Sequence, residues 1–142
     1  MGPSGAGKST LLDLLAERKR TGMWCGDILF NQCPRSKWFN RESAYVLQDD
    51  VHIGTLTVEE TIMYSAWSRM PEGTSIEQRK TRVDELLDLM GLTHVKDVFV
   101  GDVSNKGISG GQKKRVSIAV EIVGLPKLIF LDGRKNILFL CT

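Results

Sequence analysis

The sequence predicts an α/β fold carrying an inserted helical segment, and three observations support that class. Short apolar runs bounded by polar residues lie near both ends of the chain, at Ile28-Leu29-Phe30, Ala44-Tyr45-Val46-Leu47 and Leu128-Ile129-Phe130-Leu131. Runs of that length suit buried strands better than helices. Helical spacing of apolar residues follows the glycine-dense start and again precedes the last run, so strands and helices alternate at the two ends. Between them stand two consecutive helical patterns with no strand.

In chain order, the first helix follows the glycine-dense loop at residues 2–7, where Leu11, Leu14 and Leu15 repeat at helical spacing towards the basic end Arg18-Lys19-Arg20. The two strands come next. Thr57 with Glu60, and Ser75 with Gln78, then fit capping boxes, in which an N-cap hydroxyl and the side chain three residues on satisfy each other's amides. They open helices whose apolar positions are Val58, Ile62, Ala66 and then Val83, Leu86, Leu87, Met90. Pro71-Glu72-Gly73 separates the two, and Gly91 ends the second. A third helix, with Val116, Ala119, Val120 and Val123 on one face, follows Ser109-Gly110-Gly111-Gln112 and ends at Gly124 before Pro126. Asp132 closes the last strand.

Composition narrows the function classes. The chain has 142 residues, 42% hydrophobic and 25% charged, the profile of one soluble globular domain. A fold of this length buries roughly two-thirds of its unfolded surface and needs no disulfide framework. A net charge of +2 falls far short of the basic surface of a dedicated nucleic-acid binder. Cys25, Cys33 and Cys141 are odd in number and lack CxxC spacing, which reads as incidental reduced thiols. No stretch reaches the ~18 consecutive apolar residues of a membrane span.

The chemistry is concentrated in Gly2-Pro3-Ser4-Gly5-Ala6-Gly7-Lys8-Ser9, followed by Thr10, which matches GxxxxGK[ST] in full. Glycines let the backbone curl so that successive amides point at phosphate oxygens, and the helix behind presents its positive end. Lys8 then neutralises phosphate charge and the Ser9 hydroxyl is a Mg²⁺ ligand. A flexible loop capping a helix is the plainer alternative. Asp132, at the end of an apolar strand, fits the acid that completes such a metal site, although any buried strand can end in a solvated Asp. Ser109 and Gln112 are likewise open to a plain capping role.

Ile108-Ser109-Gly110-Gly111-Gln112, preceding Lys113-Lys114-Arg115-Val116-Ser117-Ile118, resembles the signature motif of ATP-binding cassette (ABC) proteins. Gln48, after Tyr45-Val46-Leu47, stands where that family has its Q-loop glutamine. The wording Leu11-Leu12-Asp13-Leu14-Leu15-Ala16, Gln48-Asp49-Asp50 and Leu56-Thr57-Val58-Glu59-Glu60 is similar to the G subfamily, the White and pleiotropic-drug-resistance transporters. The resemblance covers nearly all of residues 2–132.

It implies an incomplete P-loop NTPase (RecA-like) core with an inserted α-helical subdomain, the core being 1–50 and 106–132, the insert about 51–105, and 133–142 a tail outside the family pattern. It implies ATP and Mg²⁺ as ligands. Residues 2–10 bind ATP in cis, Lys8, Gln48 and Asp132 are the catalytic set, and Ser9, Gln48 and Asp132 surround the metal. Ser109, Gly110, Gly111 and Gln112 touch the nucleotide held by a second cassette in a head-to-tail dimer. The further partner is a transmembrane domain moving lipids or xenobiotics, with the cassette on the cytoplasmic face and no nucleic acid involved.

The sequence also departs from the family. Asp132 is followed by Gly133-Arg134-Lys135 where the family has Glu-Pro-Thr, and glycine cannot serve as a base. His52 and His94 are placed as surface or partly packed residues, unable to stand in for the family's switch histidine. Strand edges are expected to be exposed, and the tail reads as read-through sequence beyond Asp132. A fragment with impaired hydrolysis is the resulting expectation. The alternatives are a soluble ABC ATPase acting on ribosomes or nucleic acid through Arg18-Lys19-Arg20 and Lys113-Lys114-Arg115, and a non-catalytic fragment. Those basic clusters are expected at helix ends in solvated or dipole-compensating roles.

Overall fold

A glycine in the left-handed region opens the first helix of the computed structural model, which describes residues 5–19, 21–102, 105–132 and the backbone of 137–141. Helix α1 (Lys8–Leu15) buries Leu12 fully and stops at Ala16, because Glu17 turns into the left-handed region at φ 59°. A two-residue hairpin follows, β1 (Leu29–Phe30) antiparallel to β2 (Cys33–Pro34), with Asn31 and Gln32 both at positive φ as a primed turn requires. The short α2 (Phe39–Glu42) leads directly into β3 (Ser43–Val46).

β3 pairs in parallel with β4 (Leu128–Asp132), Ser43 opposite Leu128 and Val46 opposite Leu131. β4 also pairs antiparallel with β5 (Ile137–Cys141), giving the strand order β3-β4-β5. β4 is not an edge of this sheet. The segment that matches no family pattern supplies the backbone partner on its second side, so the edges of this sheet are β3 and β5. Leu12, Ala16, Phe39, Leu128 and Phe130 form the core of this unit, with Phe39 edge-on to both Phe30 and Phe130.

The second unit is helical. The chain divides into residues 1–48 with 126–142, and residues 49–125. α3 (Val58–Arg69), α4 (Ile76–Leu89) and α5 (Gly110–Ile122) pack around Val58, Ile62, Val83, Leu86, Leu92, Val116 and Ala119. The sequence-based division put residues 106–125 with the core; in the structure α5 shares its apolar face with α3 and α4, and the second boundary falls at 126. A buried Arg79 in α4 closes the α3–α4 turn, donating to the carbonyls of Ala66, Pro71 and Thr74 while its guanidinium lies 4.8 Å from the Trp67 ring centroid. It adds a second donor to carbonyls at and beyond the end of α3, since Ala66 O also accepts from Met70 N–H and Pro71 O from Thr74 N–H. Among the described residues no helix is long and apolar enough to cross a membrane.

Candidate functional site

The start of α1 is built from glycines for a conformational reason. Gly5 and Gly7 sit at φ 83° and 79°, which a side chain would strain, and an added Cβ at either meets nothing within 4 Å. Gly7 is the N-cap and offers no side chain to accept from the first-turn amides. The positive end of the helix dipole is therefore not capped by a side chain. Lys8 is half-buried, and Ser9 and Thr10 are exposed at the same end. Gly2, Pro3 and Ser4, the first part of the expected cradle, lie outside the described residues, as does Gly133.

Ser9 and Asp132 meet. The Ser9 hydroxyl donates to Asp132 Oδ1 at 3.2 Å, joining residues 123 positions apart. The parallel register explains why: Val46 lies opposite Leu131, so Asp132 and the residues after β3, including the exposed Gln48, emerge at the same carboxyl end of the β3–β4 pair. Ligands of open α/β sheets bind outside that end. Behind it, the Tyr45 hydroxyl donates to Asp13 Oδ1 at 2.9 Å, and Arg18 stacks 4.4 Å from the Tyr45 ring centroid. Burial chiefly, then the Asp13 hydrogen bond and the charges of Asp13 and Asp132, raise the Tyr45 pKa well above the usual phenol value, so this hydroxyl keeps its proton. Arg18 therefore does not compensate the dipole of α1, which ends three residues earlier; it covers an aromatic ring.

The hydroxyl and carboxylate are hard oxygen donors, the set that suits Mg²⁺. Among the described residues no group of three or more His, Cys, Asp or Glu gathers as a transition-metal site would need. Cys25 and Cys33 are exposed and unpaired with each other; the Cys141 side chain lies outside the described residues.

Ser109, Gly110, Gly111 and Gln112 are in the helical unit. Ser109 N–H donates to Gln112 Oε1 at 2.8 Å and Gln112 N–H to Ser109 Oγ at 3.3 Å, a full capping box. A Cβ added at either glycine would meet nothing within 4 Å, so the start of α5 is open. The basic run beside it lies at a helix end, but not in the solvated or dipole-compensating role expected of it. Lys113, Lys114 and Arg115 lie in the first turns of α5, where the helix dipole opposes positive charge. Each is instead tied down: Lys113 Nζ to Gly101 O at 2.7 Å, Lys114 Nζ to Asp50 Oδ1 at 2.9 Å, and Arg115 Nη1 to Met90 O at 2.7 Å.

Sequence reasoning missed a polar node around Ser117. Its hydroxyl donates to Asp50 Oδ1 at 2.6 Å, and His52 Nε2 stands 2.8 Å from Ser117 Oγ. Asp50 and His52 are 65 or more positions from Ser117, so no local pattern announces the node. Burial is the main cause of a lowered His52 pKa, opposed by a hydrogen bond to the Lys113 backbone and by Asp50. His94 is exposed, with its Nε2 3.4 Å from Gln112 Nε2.

Comparison with known proteins agrees with these features. The family model described as ABC transporter matches residues 1–134. Over 132 residues the chain is 46% identical to ABC transporter G family member 24 of Dictyostelium discoideum, covering 93% of this chain and 11% of that protein. It is 44% identical over 132 residues to the broad substrate specificity ATP-binding cassette transporter ABCG2 of Bos taurus, covering 93% of this chain and 20% of that protein. It is 44% identical over 133 residues to ABC transporter G family member STR of Medicago truncatula, covering 93% of this chain and 16% of that protein. The chain thus spans a fifth or less of the length of these curated relatives. With a phosphate-loop helix, an acid-ended strand and an open Ser-Gly-Gly-Gln helix start in one polypeptide, it belongs to the ABC transporter family and is most similar to G-subfamily ATP-binding domains.

Proposed function

We propose that this chain is the MgATP-binding portion of a G-type transporter cassette, serving ATP-coupled movement of lipids or xenobiotics through an associated transmembrane domain. The observation that carries the reading is the Ser9–Asp132 hydrogen bond at the carboxyl end of the parallel strand pair. Amides of residues 2–7 and the Lys8 ammonium hold the triphosphate, with Thr10 one step further along the helix. The Ser9 hydroxyl, the Asp132 carboxylate and Gln48 hold Mg²⁺, which when bound neutralises phosphate charge. The start of α5, Ser109 to Gln112, contacts the triphosphate held by a second cassette in a head-to-tail dimer. The cassette then lies on the cytoplasmic face, attached through its membrane domain. Closing on ATP and opening after γ-phosphate loss gives a two-state device that biases the attached helices. The internal partners of Lys113, Lys114 and Arg115 favour this reading over a ribosome or nucleic-acid role.

Glycine at position 133 leaves positioning and electrostatics but no proton acceptor beside Asp132. Hydrolysis is accordingly slower by roughly 10²–10⁴-fold than with a general base present. Titration with a fluorescent ATP analogue and Mg²⁺ tests the binding claim. Lys8→Ala is expected to weaken uptake about tenfold or more, and Gly133→Glu to raise turnover without tightening binding. Equal uptake by Lys8→Ala and the unsubstituted chain would remove the reading.

A further inference from the structure

Arg18-Lys19-Arg20 is a basic run that the nucleotide reading leaves without a role, and it leads straight into Thr21. Basic residues at the second and third places before a hydroxyl are what protein kinases with acidic substrate grooves select, because carboxylates on the kinase pair with them and seat the hydroxyl. Such a kinase takes its substrate as extended, accessible chain. Thr21 to Gly26 are all exposed and lie outside helix and strand, and among the described residues no backbone hydrogen bond holds them. Gly22, at φ 104°, follows the hydroxyl and straightens without steric cost. Arg18 stacks on Tyr45 while remaining exposed, a weak contact that a kinase carboxylate replaces. Two other hydroxyls follow basic pairs, and the fold withholds both. Thr81 comes after Arg79-Lys80 but sits inside α4, with its hydroxyl on Glu77 O at 2.9 Å and Arg79 buried. Ser117 comes after Lys114-Arg115-Val116 but sits inside α5, with its hydroxyl on Asp50 Oδ1 at 2.6 Å and both cations engaged.

We propose that Thr21 is the phosphorylation site of a basophilic serine/threonine kinase, and that the phosphate placed there weakens triphosphate binding at the start of α1. In the transfer, Thr21 Oγ1 bonds to the γ-phosphorus of ATP held by the kinase and the bond from that phosphorus to the β–γ bridging oxygen breaks. ADP leaves, and the hydroxyl proton passes to the kinase's base. The second half of the proposal rests on the reading of Gly5 to Ser9 as the triphosphate cradle. Thr21 and Lys19 line the same cavity of about 300 Å³ as Gly7 and Thr10. The phosphate therefore adds about −1.5 to −2 charge at pH 7 to a cavity that reaches the N-cap of α1. Lys19 on the same cavity does not cancel this. A lysine paired with the phosphate no longer attracts a nucleotide, so the field at the cradle changes by the full added charge and opposes the triphosphate.

The test incubates the 142-residue chain with a purified kinase of this class and labelled ATP, locates the label by mass spectrometry, and titrates MgATP before and after phosphorylation. Label is expected on Thr21, retained in Thr21→Ser, lost in Thr21→Ala and reduced about tenfold in Lys19→Ala, with Ser117→Ala labelled like the unsubstituted chain. Phosphorylation should weaken MgATP binding about threefold at low ionic strength, and the difference should shrink at about 0.5 M salt, where charges are screened over a few ångströms. Thr21→Ala treated with the kinase should bind MgATP as the untreated chain does. Label on Ser117 or Thr81 instead, or no label at all, would overturn the site. Phosphate on Thr21 with ATP affinity unchanged would overturn its link to the cradle. An unphosphorylated chain that binds no ATP would overturn the cradle and with it that link, whereas the labelling arm reads the Thr21 site independently.

Discussion

Single residues in this chain are held by backbone constraints whose cost differs by position. Gln32 occupies the second place of the β1–β2 turn at φ 64°, a conformation costing about 1–2 kcal/mol for a residue with a Cβ. Glycine removes that cost and adds chain entropy of roughly 0.5–1 kcal/mol to the unfolded state. Gln32→Gly is therefore expected to stabilise the first unit by roughly 0.5 kcal/mol, read as a higher urea midpoint; a lower midpoint would contradict the turn assignment. Gly107 is the opposite case. An added Cβ there falls on the carbonyl of Val100 and 2.5 Å from Gly101 N, where the backbones on either side of the approach to α5 nearly touch. Gly107→Ala is expected to cost about 1–3 kcal/mol and to lower the midpoint of the helical unit. An unchanged midpoint would show that these strands of chain have room to part. Neither constraint is written in local sequence. Asn31-Gln32 lacks the glycine that signals a primed turn, and Gly107 is one of 14 glycines with nothing to distinguish it.

At the scale of elements, much was legible because the governing interactions are three or four residues apart. The boxes at Thr57/Glu60, Ser75/Gln78 and Ser109/Gln112 are all formed as their spacing predicts, and Gly91 takes φ 60° where the α4 pattern ends. What local spacing does not carry is partnership. That α5 packs with α3 and α4, and that β5 completes β4, follow from contacts between distant segments. So does the node joining the segment after Gln48 to α5 through Asp50, His52 and Ser117. The groups facing the imidazole are Ser117, Asp50, Lys113 and Lys114. Because burial lowers the His52 pKa below 6.5, the unfolded chain binds this proton more readily than the native one. The sign follows: the native state is not penalised above pH 6.5 and loses stability as pH falls through the unfolded value towards the lowered one. Urea midpoints at pH 5.5 and 7.5 should differ more in the unsubstituted chain than in His52→Gln. An equal or reversed difference would contradict a buried neutral imidazole at this node.

Across the whole molecule, the residues proposed to contact nucleotide divide between two separately cored units. Gly5 to Thr10, Gln48 and Asp132 belong to the unit of β3 and β4, and Ser109 to Gln112 to the helical one. That division is consistent with the proposed dimer, in which a chain's phosphate loop and its Ser-Gly-Gly-Gln run serve different nucleotides. The GxxxxGK[ST] run stands out by spacing alone, whereas the pairing of Ser9 with Asp132 across 123 residues needs the parallel strand register. A charge of +2 gives no help, since the positive groups of α5 are used within their own unit.

The Ser9–Asp132 pair as a magnesium site is the claim on which the functional account turns, and the metal dependence of nucleotide binding measures it most directly. ATP affinity would be compared with and without Mg²⁺ for the unsubstituted chain, Ser9→Ala, Asp132→Asn and the double variant. The account expects Mg²⁺ to tighten binding in the unsubstituted chain, each single substitution to abolish most of that gain, and the double to lose little more, as residues acting on one ion are non-additive. A gain from Mg²⁺ that survives both substitutions would contradict it.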